Sequence, residues 1–299
     1  MSGSTERSEL FGRLALGTVQ FGLTYGITNT SGKVGPDAVQ AILARAAEVG
    51  LSTLDTAALY GDSEQSLGSA GVENFAVVTK LPELGRDVAD PGLWVRTQML
   101  ASLSRLRLPR VDGLLLHRPD VLMTESGPAI WSAMQHLRAE GLVRAIGYSV
   151  YEPRELSSLY QAFRPDIVQL PYNALDSRFE VSGWIARLAD GGTMVHARSA
   201  FLQGLLLAPR DGLPEKFSRW RSVFDAWHQW CSARGLTPLQ AALGHSLAHA
   251  SIDRVLVGVA GMDQFSEILA SVSRHPIAAP LDLSSSDIDL INPSRWSSL

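Results

Sequence analysis

Short apolar runs recur along the chain, and each is followed by a segment whose apolar positions repeat at helical spacing. The first run covers residues 14–18. A polar turn holding Gly32, Gly35 and Pro36 follows it, and residues 37–49 then carry the helical pattern. Runs at 52–55, 75–79 and 111–116 precede helical segments over 63–70, 94–106 and 129–139. Runs at 143–149, 167–170 and 193–197 read as the fifth to seventh strands, with helical patterns over 153–163 and 181–188 between them. Two further helical patterns, near 217–234 and 238–250, precede an eighth strand at 254–257 and a helix over 263–272. The remaining tail is rich in Pro, Ser and Asp and reads as irregular.

Eight strand–helix alternations call for a parallel sheet with helical crossovers. The strands are short and apolar throughout, as strands buried on both faces should be. An open doubly wound sheet and a closed barrel both satisfy this pattern, but eight units in about 250 residues is the size of the barrel. The predicted fold is an α/β (β/α)8 TIM barrel with an extra helix between strands seven and eight. No linker or low-complexity segment divides the chain, so residues 1–299 read as one domain.

Composition narrows the function classes. The chain has 299 residues, 45% of them hydrophobic, and a formal charge of −4. That balance gives no basic stripe for nucleic acid. The N-terminal MSGSTERSEL lacks the apolar core of a signal peptide, and no apolar run is long enough to span a membrane. A lone cysteine, Cys231, fits a reducing compartment. The expected setting is therefore cytoplasmic. Lysine is scarce: Lys33, Lys80 and Lys216 are the three, against 23 arginines among the 26 basic residues.

Several common motifs are missing. No two glycines are separated by a single residue, which removes the G-x-G-x-x-G dinucleotide fingerprint and the kinase loop. Gly32-Lys33 is followed by Val34, and no glycine stands five residues earlier, so there is no P-loop. G-x-S-x-G and C-x-x-C are also missing. His245 and His249 have a spacing that can bind zinc, but no third ligand suggests itself and packing is the ordinary reading.

A barrel places its chemistry where its strands end. The second strand ends in Asp55, with Tyr60 shortly after; the third leads into Lys80 and the fourth into His117. Each has a structural explanation of its own: Asp55 as a local hydrogen-bond acceptor, Tyr60 as a packing aromatic, Lys80 reaching solvent, His117 as a satisfied core histidine. Together they bring an acid, a phenol, an ammonium and an imidazole to one rim. A phenol with a pKa near 10 is a poor acid at neutral pH. A neighbouring ammonium lowers that pKa, and a carboxylate holds the ammonium in place. Such a set suits protonating an oxygen as charge develops on it, with histidine orienting the carbonyl. It contains no hydride source, so a cofactor is needed.

Asp55-Thr56-Ala57, then Tyr60-Gly61-Asp62-Ser63-Glu64, then Lys80, then Leu116-His117-Arg118-Pro119, resemble the tetrad motifs of the aldo-keto reductase family in order and context. The resemblance runs from about Leu14 to Leu269. It implies a nicotinamide-dependent oxidoreductase acting on a small-molecule carbonyl substrate, with Tyr60 as general acid or base. Lys80 and Asp55 would tune the tyrosine, and His117 would position the carbonyl. It also implies cofactor contacts from Gly17, Thr18, Asp55, Ser149, Gln169, Arg198, Ser199, Phe201, Gln203, Gly258, Gln264 and Glu267. Ser149 and Gln169 would hold the carboxamide. Val150 replaces the family's usual asparagine, Arg198 the tyrosine that stacks on the nicotinamide, and Ile268 the asparagine after Glu267. NADP(H) is the family default. Residues 255–272 contain no Lys or Arg for its 2′-phosphate, so NAD(H) is admitted as well.

Two other readings use the same residues. Some proteins of this kind serve as cofactor-sensing regulatory subunits with little turnover, and a barrel aldolase could use Lys80 as a Schiff base. The second would leave Tyr60, His117, Ser149 and Gln169 without a role. Substrate choice should lie in the loops over 21–26, 119–128 and 204–216. Nothing in the residues fixes an oligomeric state.

Overall fold

The eight apolar runs form eight parallel strands hydrogen-bonded in chain order, with the last returning to the first. The computed structural model describes residues 9–273 and 275–298; the first eight residues of the polar N-terminal segment lie outside them. The strands are β1 (Leu14–Gly17), β2 (Thr53–Asp55), β3 (Ala76–Leu81), β4 (Val111–Leu116), β5 (Val143–Ser149), β6 (Ile167–Pro171), β7 (Met194–Arg198) and β8 (Arg254–Gly258). Gly17 closes the ring, pairing with Asp55 on one side and Gly258 on the other. Closure decides between the two expected arrangements and leaves no strand edge exposed.

The outer helices are α1 (Pro36–Glu48), α2 (Ser63–Ala70), α3 (Pro91–Leu106), α4 (Gly127–Ala139), α5 (Pro153–Ala162), α6 (Trp184–Asp190), α7 (Arg221–Ser232), α8 (Pro238–Ala248) and α9 (Met262–Ser271). A proline in the first turn starts α1, α3, α5 and α8, where a missing N–H costs nothing. Reciprocal capping boxes, Glu152 with Glu155 and Thr237 with Gln240, secure α5 and α8. The extra helix expected between strands seven and eight is α7.

Three expectations change. The helix expected over 181–188 is interrupted, because Gly183 (φ 75°) separates a single turn at Arg178–Val181 from α6. The pattern over 217–234 splits at Trp220 into a 3-10 segment, Glu215–Trp220, and α7. The tail is less irregular than its composition suggests. Its turns seat Leu290, Ile291 and Trp296 against Phe217 and Trp227 in a second core.

Strand periodicity of two sorts the residues that matter. Val77, Leu114, Ile146 and Val168 belong to the main core between sheet and helices, whereas Val78, Leu115, Ala145 and Ile167 form a small separate cluster inside the barrel. Continued to the strand ends, the inward-facing row holds Asp55, Lys80, Ser149, Gln169, Arg198 and Gly258. The interior is thus largely apolar in the middle, with Thr53 and His196 also on the inward-facing row, and polar at the rim.

The short helical turn Val19–Gly22 presses on the segment that carries Tyr60. A Cβ built on Gly22 would lie 1.8 Å from the Tyr60 carbonyl oxygen and 2.5 Å from Ser63 N. Gly22→Ala is expected to cost about 1–3 kcal/mol, as overpacking against backbone does, read as a lower urea midpoint. An unchanged midpoint would show that the contact is slack.

Candidate active site

Asp55 ends β2 and Lys80 sits in β3, which continues two residues past its expected end. A lysine fits there because its charge is matched: Nζ donates to Asp55 Oδ1 at 2.5 Å and to the Thr56 carbonyl at 2.9 Å. Both side chains are almost wholly buried. Gln169 Nε2 donates to the other Asp55 oxygen at 2.7 Å. The expected carboxamide ligand therefore also belongs to the support of the acid. Burial pushes the Lys80 pKa down while Asp55 opposes that shift.

Tyr60 lies in the loop between β2 and α2, and hydroxyls fasten that loop. Ser63 Oγ donates to the Thr18 carbonyl at 2.8 Å and contacts the hydroxyls of Thr18 (2.9 Å) and Thr56 (3.1 Å). Glu64 is buried between Thr79, which donates to it at 2.6 Å, and Arg105, whose Nε donates to it at 2.7 Å. The Ser63-Glu64 pair thus ties the tyrosine loop to β1, β3 and α3. Lys80 Nζ is 5.1 Å from the Tyr60 ring centroid, and the His117 ring meets it edge-on at 5.8 Å.

The electrostatics differ from the expectation that Lys80 lowers the phenol pKa. Burial raises the Tyr60 pKa well above its ordinary value, the charge of Asp55 raises it further, and Arg198 works in the opposite direction. With Lys80 held against Asp55, Arg198 is the cation that counts at the phenol. Tyr60 therefore keeps its proton in this state. Burial, with the charges of Lys80 and Arg198, pushes His117 down to about 3, so its imidazole is neutral. Its Nδ1 is buried with no hydrogen-bond partner among the described residues.

A cleft of about 980 Å³ opens at this rim. Asp55, Tyr60 and His117 line it, as does every residue expected at the cofactor: Gly17, Thr18, Ser149, Gln169, Arg198, Ser199, Phe201, Gln203, Gly258, Gln264 and Glu267. Lys80 stands behind this surface. Gln264 accepts a hydrogen bond from Ala260 N at 2.8 Å, fastening the entry to α9. After β7, Ser199 (φ 62°), Leu202 (φ 48°) and Gln203 (φ 52°) all adopt the left-handed region. Each costs about 1–3 kcal/mol, the kind of strain that gathers at functional sites.

Two of the three expected specificity loops reach the cleft, through Leu23 and Tyr25 and through Gly204, Leu207 and Pro214. Residues 119–128 do not, because Pro119–Met123 forms a 3-10 turn that buries Leu122 instead. Tyr151, Gln20 and Thr237 line the cleft without having been expected. Tyr151 lies only two residues beyond Ser149, whereas the place of Thr237 depends on long-range packing. His245 and His249 contact the Tyr172 ring, the first stacked at 4.7 Å and the second edge-on at 5.6 Å.

The family model described as Aldo/keto reductase family matches residues 13–279. The aflatoxin B1 aldehyde reductase member 2 of Rattus norvegicus is 34% identical over 150 residues, which are 44% of this chain and 39% of the rat protein. The NADH-specific methylglyoxal reductase of Escherichia coli is 25% identical over 260 residues, covering 75% of this chain and 79% of its own length. Among solved structures, the holo form of the aldo-keto reductase AKR11C1 from Bacillus halodurans matches with a TM-score of 0.74 at 21% identity, over 95% of each chain. That likeness concerns the fold.

Two measurements test this geometry. Lys80→Met strands the Asp55 carboxylate and should cost about 3–5 kcal/mol, part of which Asp55→Asn in the same chain recovers; equal losses in the single and double variants would contradict a coupled pair. Burial holds His117 and His196 down to about 3 and His245 to about 4. Their unfolded values lie near 6.5. Below that pH the unfolded chain takes up protons that the folded chain refuses, so stability falls as pH drops. The urea midpoint should decline from pH 6.5 to 5; a flat or rising midpoint would show that these rings are not held neutral.

Proposed function

Because the chain belongs to the aldo/keto reductase family, we propose that this oxidoreductase reduces an aldehyde or ketone, or in reverse oxidises an alcohol or sugar hemiacetal, with Tyr60 as the proton donor and acceptor. The observation that carries the reading is the half-buried Tyr60 phenol in the cleft, with the Lys80 ammonium 5.1 Å from its ring centroid and the His117 ring edge-on at 5.8 Å. A nicotinamide cofactor, when bound, supplies the hydride. The protein's part is to hold the carbonyl and to move one proton. His117 orients the carbonyl oxygen through a ring N–H, and the Tyr60 hydroxyl delivers its proton as negative charge grows there. The Lys80–Asp55 pair, braced by Gln169, holds the support of the ring in place, and Arg198 supplies the positive charge felt at the phenol.

The cleft fits such a cofactor in size and in chemistry. Its volume is about 980 Å³, and polar side chains from the ends of β5, β6 and β7 line it beside the glycines that end β1 and β8. Ser149 and Gln169 are assigned to the carboxamide, Ser199, Phe201 and Gln203 to the middle of the cofactor, and Gln264 and Glu267 to its adenosine end. Gly17, Thr18 and Gly258 give close backbone approach, and Arg198 stands at the junction with the substrate. NADP(H) is the assigned cofactor. NAD(H) is accepted too, since α9 brings no Lys or Arg to a 2′-phosphate. The chain is read as one barrel domain acting in the cytoplasm.

Fluorescence titration with NADPH and with NADH, followed by turnover of a reactive aromatic aldehyde, tests the reading. Tyr60→Phe should cut turnover by about 10²- to 10⁴-fold while cofactor binding persists. Cofactor binding with no turnover over a varied panel of aldehydes and sugars would favour a sensing subunit instead.

A further inference from the structure

Arg198 is a half-buried cation in a cleft that offers it no counter-ion. It ends β7 on the inward-facing row, with its guanidinium carbon 4.2 Å from the centroid of the Tyr151 ring. Nη2 donates to the Val150 carbonyl at 3.1 Å, and Nη1 makes a long contact of 3.4 Å to Ser199 Oγ. These contacts fix the plane and leave Nε and the remaining hydrogens with no acceptor among the described residues. A guanidinium carries five N–H donors in a rigid fork. The acids nearby are committed elsewhere. Asp55 is matched by Lys80 at 2.5 Å. Glu155, which feels the charge of Arg198, receives the Tyr151 and Glu152 amides at 3.0 and 2.8 Å. Glu267 also lines the cleft, on α9, and no ion pair joins it to Arg198. Apart from the neutral His117, Arg198 is the one basic side chain among the residues lining the cleft.

We propose that Arg198, held on Tyr151 instead of taking the nicotinamide contact that the resemblance implies, is the receptor for a carboxylate carried by the carbonyl substrate, so that the preferred substrates are oxo acids rather than neutral aldehydes. This rests on the reductase reading above and deepens it. The fork suits a planar carboxylate, which can accept two parallel hydrogen bonds. Tyr151 beneath the guanidinium fixes its plane, so little ordering is needed on binding. Arg198 shares the cleft with Tyr60 and His117, and its charge is felt at both. A molecule bound through its carboxylate can therefore present its carbonyl to those two groups. The apolar walls at Leu23, Tyr25 and Leu59 would enclose the carbon skeleton between the two ends.

The test uses 4-formylbenzoate and its methyl ester, which share the aldehyde and the ring and differ in charge. With cofactor saturating, the wild-type protein should favour the acid in kcat/KM by about 10- to 100-fold, the worth of a charge-assisted pair. Arg198→Met and Arg198→Gln should bring that ratio to about one whatever happens to the ester's own rate, and Arg198→Lys should keep part of it. A ratio that survives both neutral substitutions overturns the proposal. So does a wild-type ratio of one. Calorimetric binding of benzoate, with and without cofactor, reads the anion site apart from turnover. Benzoate binding that is lost in Arg198→Met, in a protein that turns over neither aldehyde, would support the carboxylate receptor and reject the reductase reading.

Discussion

An ammonium and a carboxylate held 2.5 Å apart inside the barrel, with almost no exposure, constrain everything around them. Removing either charge from water is costly, and their attraction offsets that cost only if the remaining lone pairs and protons also find partners. The Thr56 carbonyl and Gln169 supply those partners from two different strands. The pair therefore demands a closed ring of strands in a particular register, with β2, β3 and β6 all at hand. In return it sets the electrostatics of the rim. Burial and the charge of Asp55 keep the proton on the neighbouring phenol, and with Lys80 matched by Asp55, Arg198 becomes the cation with charge to offer.

The fold serves this arrangement through its pleat. The inward-facing row is largely apolar at mid-barrel, where Val78, Leu115, Ala145 and Ile167 pack together, and polar at the strand ends. Strand after strand delivers one functional side chain to the same rim. Loops add what strands cannot: Tyr60 is fastened through Ser63 and Glu64, and three non-glycine residues after β7 accept left-handed backbone beside the cleft. Gln203, one of these, also donates to the Tyr25 hydroxyl at 3.1 Å and so links the loops that follow β7 and β1.

Most of the strand framework was legible because a strand buried on both faces is written as an uninterrupted apolar run. Where boundaries slipped, the cause was tertiary. Lys80 looked like the residue after a strand, since a charge ordinarily ends one, but Asp55 allows β3 to carry it. The four residues at the rim were legible because each stands at or just beyond a strand end. Thr237 was not, since its place in the cleft comes from contacts distant in the chain, whereas Tyr151, two residues past Ser149, stood within reach of the same strand-end reading. Residues 119–128 looked like a pocket loop and instead fold back over Leu122, an apolar burial that loop position alone does not reveal. Arg198 was visible as a substitution, but its stacking on Tyr151 and its lack of a counter-ion needed coordinates.

In the proposed function this cleft brings a hydride donor and a carbonyl together over Tyr60. Reduction of an aromatic aldehyde with cofactor deuterated at the nicotinamide C4, followed by mass spectrometry of the alcohol, tests it most directly. With both C4 positions of the cofactor deuterated, one deuterium is expected on the carbinol carbon. Alcohol formed without the label, or no alcohol from any aldehyde with either cofactor, would contradict that function.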